Sequence, residues 1–207
     1  VGESTAIVTR AGCERIIRYA FEYARRHGRQ KVTIVHKANI LKYSDGLYLD
    51  VARKVAAEYE GRIEFEDRIV DMTCMGLVLY PETFDVLVLP NLYGDIVSDL
   101  AAGLIGGLGM APGANIGTEC AVFEPVHGSA PKYTGKDMAN PTAEILTAVL
   151  MLKHLGEFEA AEKILSGVKT VLAEGTSVTY DIKRTNTGST EGAVGTQAYA
   201  DAIIATF

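Results

Sequence analysis

Two aspartates, Asp95 and Asp99, lie four residues apart in the segment NLYGDIVSDL. On a helix that spacing sets both carboxylates on one face, within reach of a single ion. Two like charges so close repel by about 1 kcal/mol or more near a protein surface, and a bound cation removes that penalty. Oxygen ligands with no Cys or His beside them suit Mg2+ or Mn2+ better than Zn2+. The plainer reading is a pair of solvated carboxylates, with Asp95 serving the helix dipole from a first turn. Spacing alone favours that plainer reading. Asp71 adds a third carboxylate at the start of another helix, directly after Ile69 and Val70. An N-cap is its plain role. Lys37 ends the run KVTIVHK, and Asn39 follows in a loop. The space just past the carboxyl end of a buried strand is where α/β proteins place chemistry. A lysine there takes or gives a proton once burial lowers its pKa; a solvated strand end is the alternative. His36 reads as structural. Asp45, Asp50, Asp67 and Asp85 read as caps, turns or solvated charges.

The elements that must position these residues alternate. Helical spacing of Ile16, Ile17, Ala20, Phe21 and Ala24 predicts a helix from Gly12 to His27, stopped by Gly28. Lys31–His36 is a β-branched run and reads as a strand. A helix follows over Asp45–Tyr59, then a strand over Arg62–Val70 and a helix over Asp71–Leu79, closed by Pro81. Asp85–Leu89 is a continuous apolar run, expected to be a strand buried on both faces. A helix is expected from Asp95 to about Leu104. Six glycines then fall between Gly103 and Gly117, too many for a regular helix, so positive φ or close backbone packing is expected. Cys120–Phe123 reads as a strand, Pro141–Leu155 and Phe158–Leu172 as helices, Gly175–Val194 as mostly loop, and Thr196–Thr206 as a closing helix. Strands alternating with helices give the class α/β. No GxGxxG lies between a strand and a helix, so the usual dinucleotide fingerprint is missing.

The 207 residues suffice for one large or two small domains. A net charge of -6 leaves no basic surface to suggest nucleic acid as a partner. It does not exclude an anionic substrate, because a local cation cluster or a metal overrides the global sign. No apolar run is long enough to suggest a membrane span, and VGESTAIVTRAG carries no signal-peptide pattern. Cys13, Cys74 and Cys120 are odd in number and widely spaced, against a disulfide framework or a zinc site. They read as small buried hydrophobes in a reducing, cytoplasmic compartment, with the mitochondrial matrix as the alternative.

The segments VHKANILKYSDGLY, NLYGDIVSDLAAGLIGGLGMAPGANIG and FEPVHGSAPKYTGKDMANPTAEIL resemble the β-decarboxylating dehydrogenases, the isocitrate/isopropylmalate dehydrogenase family. The resemblance covers essentially the whole chain. It implies a two-domain α/β fold in which residues 1–11 end a dimer-forming clasp. Residues 12–105 would form a small domain, and 106–207 the C-terminal part of a large one. It implies that Asp71, Asp95 and Asp99 bind Mg2+ or Mn2+ with the substrate, that Lys37 transfers a proton at the substrate alcohol, and that Asn39 lies near substrate and nicotinamide. Asp71 and Lys37 would serve the site of a neighbouring subunit, so the working unit is a homodimer with shared active sites.

The same resemblance makes His127, Gly128, Ser129, Ala130 and Pro131 an adenosine-binding loop, with Asn140 near the adenine. NAD-linked members carry an acidic residue after the equivalent proline. Here Lys132 and Tyr133 follow, and a cation there attracts the 2′-phosphate of NADP. Tyr180 and Arg184 in VTYDIKR resemble the other half of an NADP grip; ordinary surface charge is the bland alternative for Lys132 and Arg184. The implied activity is oxidative decarboxylation of isocitrate. The alternatives are a homoisocitrate, isopropylmalate or tartrate dehydrogenase, or a noncatalytic regulatory subunit of such an enzyme. The chain does not begin with Met and reads as N-terminally truncated. The substrate-recognition serine, the arginines and the catalytic tyrosine are expected upstream of Val1, so the chain alone is expected to be inactive.

Overall fold

A computed structural model describes all residues from Val1 to Phe207. The chain divides into two compact units, Val1–Ala101 and Ala102–Phe207.

In the first unit, helix α1 (Arg10–Arg26) begins where the Thr9 hydroxyl accepts the Gly12 N–H at 3.2 Å, an N-cap. Arg25 and Arg26 in its last turn suit the negative end of the helix dipole. It buries Cys13, Ile17, Ala20, Phe21 and Ala24, the stripe that its spacing predicts. Ile17 and Phe21 have no exposed surface, and each such burial contributes about 1.5–3 kcal/mol. Strand β1 (Lys31–His36) is the middle of a three-stranded parallel sheet, with β2 (Glu64–Ile69) on one side and β3 (Val86–Val88) on the other. Val32 to His36 are all buried, as a central parallel strand requires. β3 departs from expectation. Only Val88 is buried, because β3 is a sheet edge with one neighbour.

Helices α2 (Ser44–Ala57) and α3 (Val70–Leu79) follow β1 and β2. Helix α4 (Asn91–Leu104) follows β3 and starts four residues earlier than its apolar spacing suggests. Pro90 precedes it and its carbonyl accepts the Gly94 N–H at 2.8 Å, closing the first turn. Asp95 therefore lies beyond the first turn and is not a dipole partner. The division between the units falls within α4.

In the second unit, Gly106 and Gly107 take φ of 117° and 109° and end the helical run. Strands β4 (Ala114–Ile116) and β5 (Ala121–Phe123) form an antiparallel hairpin, of which the sequence pattern predicts only the second. A Cβ on Gly113 would stand 2.5 Å from the Glu124 carbonyl oxygen, so glycine is required for that close approach. Helices α5 (Thr142–His154), α6 (Phe158–Glu174), α7 (Tyr180–Thr187) and α8 (Thr196–Ile204) follow. Val168, Val171, Val178, Ile182, Tyr199 and Ile203 form the core.

Helix α7 corrects the expectation of loop over Gly175–Val194. Its sequence, YDIKRTNT, is polar and carries one apolar anchor, Ile182, which the core captures. Packing overrides weak local propensity here. The cysteines also differ from expectation. Only Cys13 is buried; Cys74 is half-buried and Cys120, in the hairpin turn, is exposed. No helix is long and apolar enough to cross a membrane.

Candidate functional site

All three strands of the first unit run parallel, so their carboxyl ends share one edge. Lys37 follows β1, Asp71 lies two residues past β2, and α4 with Asp95 and Asp99 follows β3. Lys37 and Asp71 meet, with Nζ 2.5 Å from Oδ1. The hydrogen bond from Lys37 is the largest cause holding the Asp71 carboxyl below the usual carboxylate range. A backbone N–H at the helix start adds to it. Asp71 occupies the first turn of α3, while the N-cap position belongs to Ile69. Asn39 is exposed in the turn after Lys37.

Asp95 and Asp99 are exposed, one turn apart on α4. No three of the chain's His, Cys, Asp and Glu side chains come together as a metal-holding group. Asp71 is engaged by Lys37 and does not join the α4 pair within one chain. Two exposed carboxylate groups, with no competing cation bonded to them, fit a hard divalent ion that draws further oxygen ligands from elsewhere.

Asp45 reads from sequence as a cap, turn or solvated charge and is none of these. It is 5% exposed, and its Oδ2 accepts the Lys37 N–H at 2.7 Å. It also stands beside the Tyr93 hydroxyl on α4. Burial first, and then the neighbouring Asp45 charge, push the Tyr93 pKa up. A signal existed. Asp45, Leu49, Ala52 and Ala56 recur at helical spacing, which puts Asp45 on the buried stripe of α2. His36 is structural, as its sequence setting predicts. Its Nδ1 accepts the Ala38 N–H at 3.0 Å, so Nε2 carries the proton facing Asp67 at 3.2 Å. Asp67 is thus engaged too. So is Asp85, which accepts from the Gln30 and Lys31 N–H groups at 2.6 and 3.2 Å. Burial pushes the Asp85 carboxyl up, and those two N–H groups with Arg29 outweigh it and hold it low.

In the second unit, the stretch from His127 to Ala130 is an irregular loop. His127 is half-buried, with Nδ1 2.9 Å from the Gly128 carbonyl, while Gly128, Ser129 and Ala130 are exposed. Ala130 holds φ of 43°, rare for a residue with a Cβ. A single 3-10 turn, Pro131–Tyr133, follows. Lys132 Nζ lies 5.0 Å over the Tyr133 ring. The Tyr180 hydroxyl donates to the Tyr133 hydroxyl at 3.2 Å, which joins two stretches 47 residues apart. That bond, then the Lys132 charge, lower the Tyr133 pKa. The same bond, with burial, pushes Tyr180 up to about 12. Arg184 is exposed one turn beyond Tyr180 on α7.

Asn140 is half-buried and fully engaged. Its Nδ2 donates to Asp181 at 2.8 Å and its Oδ1 accepts from the Thr142 N–H and hydroxyl at 2.9 and 2.6 Å. Asp181 receives the Thr179 hydroxyl at 2.6 Å as well. The structure thus brings Lys132, Tyr133 and Tyr180 together, and ties Asn140 to the start of α7. It shows no bond between His127–Ser129 and that group.

Residues 1–203 match the isocitrate/isopropylmalate dehydrogenase family. The chain is 54% identical over 175 residues to the 3-isopropylmalate dehydrogenase of Archaeoglobus fulgidus, covering 84% of this chain and 53% of that protein. It is 52% identical over 183 residues to a regulatory component of the mitochondrial NAD isocitrate dehydrogenase of Dictyostelium discoideum, covering 88% and 51%. The isocitrate dehydrogenase structure from Methylococcus capsulatus superposes with a TM-score of 0.93 at 55% identity, over 99% of this chain and 58% of that one. The chain spans about half the length of the curated relatives it matches.

Proposed function

Because the chain belongs to the isocitrate/isopropylmalate dehydrogenase family, we propose that it is the metal-ligand and cofactor-loop half of an enzyme that oxidatively decarboxylates isocitrate with NADP. The reaction class rests on the carboxyl edge of the parallel sheet, where Lys37, Asp71, Asp95 and Asp99 all follow strand ends. When bound, Mg2+ or Mn2+ supplies Lewis-acid polarisation of the substrate's hydroxyl and carbonyl oxygens. Asp95 and Asp99 hold the ion. Lys37, held in place by Asp71, moves the proton of the substrate alcohol. Asn39, exposed beside it, orients substrate and nicotinamide.

The observation that carries NADP is the Lys132–Tyr133–Tyr180 group. It offers one cation and two phenols, with Arg184 one turn away and the nearby Asp181 carboxylate engaged by Asn140 and Thr179. A 2′-phosphate is drawn to such a group, and His127–Ala130 would line the adenosine beside it. The proposed assembly is a homodimer in which Asp71 and Lys37 serve the partner's α4 carboxylates. Exposed Met72, Met75, Leu79, Leu92 and Ile96 on α3 and α4 supply the apolar surface it needs. Three free cysteines fit a reducing compartment such as the cytoplasm.

A second reading is favoured by the 54% identical relative, whose name is 3-isopropylmalate dehydrogenase. Relatives named for NAD likewise favour NAD as cofactor. A purely regulatory role is disfavoured because Lys37, Asp71, Asp95 and Asp99 are all present. Turnover of isocitrate and of isopropylmalate by the full-length protein, each with NADP and NAD, decides. Faster isopropylmalate turnover with NAD rejects the first reading; no turnover of either supports a regulatory role.

A further inference from the structure

We propose that Asp45 is a positioning residue that fixes the Lys37 turn and helix α4 in one arrangement. Proton transfer at Lys37 and metal binding at Asp95 and Asp99 then both depend on it. The proposal rests on the function given above for what it predicts of turnover; the clamp itself stands on the contacts alone.

A carboxylate as buried as Asp45 is costly unless donors compensate it. A helix cap would direct its oxygens to the N–H groups of its own helix. Asp45 directs them elsewhere. Oδ2 takes the Lys37 N–H at 2.7 Å, Oδ1 lies 3.3 Å from the Ser44 hydroxyl, and the Tyr93 hydroxyl stands beside the carboxylate. Charge-assisted bonds of this kind are about twice as strong as neutral ones.

The Lys37 backbone is held from both sides. Its N–H is on Asp45, and its carbonyl accepts from Ile40 and Leu41 at 2.9 and 2.8 Å. The next N–H, of Ala38, is on His36. Tyr93 lies in the first turn of α4, two residues before Asp95. One carboxylate therefore bonds the exit of β1 and stands beside the start of the helix after β3. In the proposed dimer, these segments serve different active sites. Lys37 reaches toward one and Asp95 and Asp99 belong to the other, so Asp45 connects the two.

Two variants separate the arms. Asp45→Asn keeps shape and removes charge; Tyr93→Phe cuts only the α4 arm. Amide hydrogen exchange of Lys37, referred to Ile34 inside β1, should quicken at least about tenfold in Asp45→Asn and stay unchanged in Tyr93→Phe. In the full-length protein, Asp45→Asn should lower kcat about 10–100-fold, the range for partners that orient a reacting group, with KM for NADP within about twofold. Tyr93→Phe should raise the KM for metal and substrate together, about tenfold, with kcat near that of the unsubstituted protein.

An unaltered Lys37 amide in Asp45→Asn overturns the clamp. A faster amide with unchanged kcat and KM overturns its catalytic consequence. Equal loss of kcat with every substrate, in proportion to protein unfolded, also overturns it, since that is a fold defect. If Asp45→Asn does not fold, Tyr93→Phe decides through its KM. The exchange measurement needs no substrate. Absence of turnover in the unsubstituted protein therefore counts against the proposed function, while the Lys37 amide still tests the clamp.

Discussion

In Val1–Ala101 the proposed reactive side chains leave a parallel sheet at its carboxyl edge, where ladder register sets their positions. In Ala102–Phe207 they sit on an irregular loop and a two-turn helix, joined by side-chain bonds such as Tyr180 to Tyr133 and Asn140 to Asp181. The first arrangement is stiff because its support is a buried strand. The second is held by phenols and amides near solvent, with Ala130 and Asp137 in the left-handed region. The division suits the chemistry proposed. Proton transfer needs fixed geometry, while a cofactor must enter and leave.

That contrast is open to direct challenge. The largest effect should come from the core beneath the sheet. Phe21→Ala removes a ring with no exposed surface and should cost about 3–5 kcal/mol, read from the urea midpoint. A loss under about 1 kcal/mol, the range of ordinary surface substitutions, would show that the first unit is not the stiffer one. Next, Asp95→Asn should weaken Mg2+-dependent substrate binding by about 100-fold, at or beyond the upper end of the range typical of outer-shell partners. NADP affinity should change by no more than about twofold; equal losses in both would erase the separation.

Third, Lys132→Asp with Tyr133→Ile should move the ratio of kcat/KM for NADP over NAD by about 10–100-fold toward NAD. An unmoved ratio rejects the assignment of the Lys132 group. Smallest is a pH effect. Hydrogen bonding from Tyr180 favours the Tyr133 phenolate, so Tyr133 should ionise below the ordinary tyrosine range and Tyr180 at about 12. The phenolate is negative, so NADP affinity should fall as pH rises through the Tyr133 pKa. Tyr180→Phe should raise that pKa toward its ordinary value. Ultraviolet titration of the phenolate band measures both, and an unmoved titration refutes the pairing.

Legibility in the sequence followed the same division. α1 and β1 were readable because long apolar periodicity and a β-branched run dominate them. The carboxyl-edge placement of Lys37 followed from β1. Asp45 was legible in principle from the stripe it shares with Leu49 and Ala52. It escapes notice because a charged residue near a helix start suggests a cap first. α7 was not legible, since one isoleucine among polar residues carries little periodic signal. β4 is three exposed residues, and only its hairpin partner identifies it. The Tyr133–Tyr180 contact spans 47 residues and leaves no local mark.

The ladder between β1 and β2 pairs His36 with Ile69, and Lys37 and Asp71 come one and two residues later. A slip of one residue would carry Asp71 about 3.3 Å along the strand and turn every β2 side chain to the other face. The 2.5 Å contact between Lys37 and Asp71 would not survive it. The ion pair therefore works as a gauge of correct folding. A misregistered molecule could retain much of its helix and sheet and still lack this contact, so the ion pair reports correct threading in a way that secondary-structure content does not.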